Sequence, residues 1–92
     1  MTKINVTKLS EQEIAKRGIS SWPIWEKEVS EFPWHYSSPE ECLILEGEVE
    51  VTDTDTGESV RIGKGDFVRF EAGLSCRWKI TSDIKKHYNF PG

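Results

Sequence analysis

Glu40-Glu41-Cys42-Leu43-Ile44-Leu45-Glu46-Gly47-Glu48-Val49-Glu50-Val51 is the stretch whose reading decides the fold of this chain. Its first half is apolar enough for a buried strand, Gly47 offers a turn, and Glu48 to Thr52 alternates as a strand with one dry and one wet face. A second phrase answers it: Gly65-Asp66-Phe67-Val68-Arg69-Phe70-Glu71-Ala72-Gly73-Leu74-Ser75-Cys76, with Phe67, Val68 and Phe70 carrying a further strand.

Working outward, Asp53-Thr54-Asp55-Thr56-Gly57 is turn chemistry ahead of a strand from Glu58 to Ile62, and Gly63-Lys64-Gly65-Asp66 is the next turn. Ser75 to Ile80 and Ile84 to Phe90 complete the series. Strands spaced by about eight to twelve residues point to an all-β sandwich or barrel. Upstream, Ser10-Glu11-Gln12-Glu13 has the form of a capping box, and Gly18 offers a stop, so one short helix is expected. Pro23 forbids a helix interior, so Trp22 to Phe32 reads as extended structure with an irregular start. The chain therefore divides into an N-terminal arm, residues 1–21, and a barrel, residues 22–92.

Ninety-two residues make one domain, of a size at which a single core supplies modest stability. Four Trp, four Phe and two Tyr provide large apolar surfaces to fill it. A net charge of −4 with both signs interspersed argues against a nucleic-acid partner. No apolar run is long enough to span a membrane, and the start of the chain has no secretory h-region, so a cytoplasmic protein is expected. In that compartment Cys42 and Cys76 should be free thiols.

The two phrases resemble the paired motifs of the cupin superfamily, small antiparallel β-barrels of jelly-roll type. Glu40 and Gly47 match the Glu and Gly that close the first motif, and Gly65 and Gly73 keep the glycine spacing of the second. The resemblance covers about residues 22–89 and is nearest to the small single-barrel cupins grouped with the ureidoglycine aminohydrolase and ethanolamine-utilisation domains. Its metal-binding histidines are altered. Trp34 and Tyr36, or Pro33 and His35, fall at the first pair of His positions, and Cys76 stands at the third. The resemblance implies a pocket inside the barrel, with Trp34, Tyr36, Glu40, Cys42, Cys76 and Trp78 as candidate ligand-binding residues. It also allows a divalent metal on Glu40, Cys76 and His35, since carboxylate, thiolate and imidazole are all metal donors.

Each residue has a plainer reading. Glu40 could be a rim carboxylate bonded to a neighbour, Cys76 a packing thiol, His35 a surface ring, and most aromatics core. His87 carries less functional weight than His35. Three functions are therefore open: a small cupin that binds a small polar metabolite with a degenerate metal site, a metal-dependent hydrolase of the ureidoglycine aminohydrolase type, and a non-catalytic accessory protein acting through oligomer contacts. The motifs do not decide whether the protein is an enzyme. A homodimer is expected, because a small barrel leaves strand edges that are better covered.

Overall fold

A computed structural model describes residues 3–91. Its strands are β1 (Ile4–Lys8), β2 (Ile24–Lys27), β3 (Ser30–His35), β4 (Glu40–Asp53), β5 (Ser59–Gly63), β6 (Asp66–Phe70) and β7 (Ser75–Asn89), all antiparallel to their partners. The fold is the expected all-β jelly-roll barrel. Its one α-helix, α1 (Glu11–Arg17), is followed by a 3-10 turn at Ile19–Ser21. The capping box forms as the sequence indicates: the Glu13 N–H donates to Ser10 Oγ at 3.2 Å, and the Ser10 N–H donates to the Glu13 carboxylate at 3.4 Å. Gly18 ends the helix at φ 67°, a left-handed conformation that glycine adopts without a Cβ penalty.

Two long strands organise the barrel. Along one edge β4 pairs first with β6 and then with β5, while its other edge follows β7 over most of its length. The far edge of β7 is shared by β3, opposite Ser75 to Ile80, and β2, opposite Ile84 to His87. The sequence reading makes two strands of each. The structure corrects this, because the β4–β7 ladder continues through the shared irregular stretch, where its register slips between Ile44 and Val49. Gly47 is therefore a bulge position within β4, at φ 92°, and a Cβ there would run into the Asp83 carbonyl of β7.

The arm is likewise more than an arm. Ile4 to Lys8 pair with Asp66 to Phe70, so β1 is an edge strand of the sheet. The helix and 3-10 turn lie against the outside of the barrel, where Ile19, Leu43 and Phe67 are buried together and Leu9, Ile14, Trp22 and Leu45 pack against them. This explains why β4 begins as an unbroken apolar run. Cys42 and Ile44 face the main core, and Leu43 faces the outer cluster. Beyond Gly47 the alternation becomes clean, with Val49 and Val51 buried and Glu48 exposed. Trp22 to Phe32 lie along their own barrel, with β2 and β3 both on β7.

Candidate functional site

The inward row of β7 is Cys76, Trp78, Ile80, Ile84, Lys86 and Tyr88, all on one face because side chains alternate along a strand. Lys86 is the exception in an otherwise apolar or aromatic row. Its register partner on β2 is Trp25, and the partner of Trp78 on β3 is Phe32, so both rings reach the same space. The result is a cavity of about 670 Å³ that opens beside β2 and β3. Trp25, Phe32, Trp34 and Tyr36 line one part of it, and Trp78, Tyr88 and Phe90 line another.

At its inner wall the Lys86 ammonium donates to Glu40 Oε2 at 2.7 Å, with the two side chains 6% and 7% exposed. The same ammonium lies 4.9 Å from the Trp25 ring centre and 4.7 Å from that of Trp78. Cation–π contact of this kind is worth about 2 kcal/mol when water is excluded, and the carboxylate neutralises the charge. Trp25 meets Trp78 edge-on at 5.9 Å, while Phe32 stacks on Trp78 at 6.1 Å. Every ring of the cage has an aromatic neighbour.

Tyr36 is held over one end of the barrel by two backbone bonds: its N–H donates to the Leu74 carbonyl at 2.9 Å, and the Gly73 N–H donates to its carbonyl at 2.7 Å. Its ring stacks on Phe70 at 4.8 Å. Burial pushes its hydroxyl well above the usual phenol range, and the nearby Glu40 carboxylate acts in the same direction. Trp78 is 3% exposed, and its Nε1–H makes no hydrogen bond of good geometry, although it lies near enough to Tyr36 and Cys76 to favour their anions slightly.

Of the residues expected from the sequence, Trp34, Tyr36, Glu40 and Trp78 line the cavity. Cys42 and Cys76 do not. They belong to the packed core, at 0% and 2% exposure, and neither lines the cavity. Burial pushes the Cys42 thiol up to about 12 and the Cys76 thiol up to about 11. His35 is exposed on β3, its Nδ1 bonded to Ser75 Oγ at 2.8 Å. His87 binds the Trp22 carbonyl through Nδ1 at 2.9 Å, a structural task on the opposite face from Lys86.

The expected metal set of Glu40, Cys76 and His35 therefore does not assemble. Among the described residues no group of three His, Cys, Asp or Glu side chains could hold a metal ion. Glu40 is already committed to Lys86, and Cys76 directs its Sγ at the Trp34 carbonyl, 3.6 Å away. The donor set does not fit a divalent metal, and no chemical step follows from one. The lining residues outside the set expected from the sequence include Lys86, the aromatic Trp25, Phe32, Tyr88 and Phe90, and the rim pair Glu26 and Lys27. Lys86 was detectable in principle, since Ile84, Lys86 and Tyr88 alternate, but in Lys85-Lys86-His87 only strand register tells which lysine turns inward.

The comparisons with known proteins agree with this architecture. A family model described as the EutQ-like cupin domain matches residues 14–88. The chain belongs to that family. Among solved structures, this cupin is similar to a DUF861 family protein from Thermotoga maritima, with 48% identity and a TM-score of 0.93 over 96% of this chain and 99% of that one. It also resembles a putative ethanolamine utilization protein Q from Salmonella typhimurium, at 23% identity and a TM-score of 0.64, covering 92% of this chain and 66% of that one. The Clostridium difficile EutQ protein is similar at 14% identity and a TM-score of 0.65, over 96% and 68% of the two chains. The last two likenesses bear on the fold alone. No functionally curated protein matches the sequence.

Proposed function

We propose that this cupin is a binding module for a small organic molecule, which enters the aromatic cavity and meets the Lys86–Glu40 pair at its inner wall. The observation that carries the reading is the cavity itself: about 670 Å³, walled by aromatic rings, with one buried ion pair converging on it. Sites for small ligands have this composition, mostly apolar with a few placed polar groups. In this reading Lys86 supplies a fixed positive charge in a barrel whose altered His positions leave no metal-binding set. A cytoplasmic setting, in keeping with two free cysteines, belongs to the same proposal.

The metal-dependent hydrolase reading is weaker, since Glu40 is held by Lys86, Cys76 is packed in the core and His35 is exposed. The test is a fragment screen by heteronuclear NMR on the intact protein. Fragments that bind are expected to shift the Trp25 and Trp78 indole signals and the Lys86 backbone amide. A screen whose hits shift only residues remote from the cavity would overturn the proposal, as would a stoichiometric metal whose removal unfolds the protein.

A further inference from the structure

The charges around the cavity cancel. Lys86 faces Glu40 at 2.7 Å, and the other charged lining residues, Glu26 and Lys27, are again one of each sign. An anionic ligand at the inner wall would set a second negative charge beside Glu40 with only one ammonium to share. A cationic ligand would meet Lys86, whose charge is already balanced by Glu40 and the faces of Trp25 and Trp78. At an inner wall where the Lys86 and Glu40 side chains are 6% and 7% exposed, an unbalanced charge is costly.

The hydrogen-bonding groups left over are more specific. Glu40 bonds Lys86 through Oε2 and makes no other side-chain hydrogen bond among the described residues, so Oε1 remains an acceptor. Lys86 spends one N–H on Glu40 and has others to give, whereas the Trp78 Nε1–H is fully buried beside Tyr36 and Cys76 and is not offered to the cavity. Acceptor and donor thus meet at one wall, while stacked and edge-on rings line the rest.

Resting on the binding reading above, we propose that the ligand class is a planar, net-neutral ring compound with an adjacent N–H and C=O, a lactam or cyclic amide edge. Its N–H donates to Glu40, its carbonyl accepts from Lys86, and its faces lie among the aromatic rings.

The experiment is an NMR-monitored titration of the intact protein with three probes of one shape: oxindole, an oxindole carboxylate and an aminomethyl oxindole. Oxindole is expected to bind about tenfold or more tightly than either charged analogue. Glu40→Gln leaves the Lys86 charge unbalanced and is expected to turn the preference to the carboxylate. Trp78→Phe removes one ring of the indole from the cage and is expected to weaken oxindole several-fold, with a lower melting temperature because the side chain is buried against Trp25, Phe32 and Phe70. Equal or tighter binding of a charged analogue by the parent protein overturns the ligand class and leaves the cavity reading standing. Failure of all three probes overturns the ligand class too, and the fragment screen then decides the cavity reading separately. The parent comparison remains decisive if Glu40→Gln does not fold.

Discussion

Lys86 places a full positive charge on the inner face of a strand whose neighbours on that face are apolar or aromatic, which is tolerable only because Glu40 and two indole faces surround it. Glu40 was legible in the sequence through its spacing to Gly47; its partner was not, because two adjacent lysines look alike until a register is known. The thiols show the reverse problem. Cys76 occupies a motif position that suggests ligation, yet burial raises it to about 11 and Cys42 to about 12, against an ordinary value of 9.0. Both should resist alkylation by iodoacetamide at neutral pH in the folded protein and react once it unfolds. The sign for stability follows from their raised folded values: the unfolded chain loses these protons first, so the contribution is complete below about pH 9 and is lost as pH rises toward 12. Urea melts in that window are expected to show falling stability for the parent, with a shallower fall for Cys42→Ala. A parent profile flat through the window, or rapid alkylation of the folded protein, would contradict this placement.

At the scale of elements, β4 and β7 each run through the whole barrel and bend where their mutual register slips. The alternation of Val49 and Val51 and the apolar run before Gly47 were both readable. Their continuity was not, since a glycine and the Thr81-Ser82-Asp83 run carry the same local signal in a bulge as in a turn. Gly47→Val tests the distinction. At φ 92° with the Asp83 carbonyl where a Cβ would stand, the substitution should cost about 3 kcal/mol or more, since it combines an unfavourable backbone conformation with a clash against main chain. Gly57→Val, also at positive φ but with open space around it, should cost less. Thermal unfolding of the two variants checks the order, and equal losses would count against the bulge as the site of close approach.

For the whole molecule, the barrel from Glu40 onward was visible in turn chemistry and alternation, whereas the part played by residues 1–21 was not. Ile4-Asn5-Val6-Thr7-Lys8 is a short alternating run, and nothing local says that it will find β6. Its neighbour, the helix, covers Leu43 and Phe67 from outside. Removing residues 1–21 should therefore expose an apolar patch and a strand edge, lowering stability by about 4 kcal/mol or more on the usual burial scale. A truncated protein that melted cooperatively at the parent temperature would refute that role.

The pairing of β7 with β2, β3 and β4 also has a consequence in time. A ribosome makes β7 after all three of them, and until it appears β2 and β3 have no strand to join. Contacts such as Glu41 with Asn89 close long loops, which slows folding. Trp78, Lys86 and Tyr88 all arrive on that strand, so the cavity cannot be walled before β7 is made, whereas β1, β4, β5 and β6 can pair among themselves earlier.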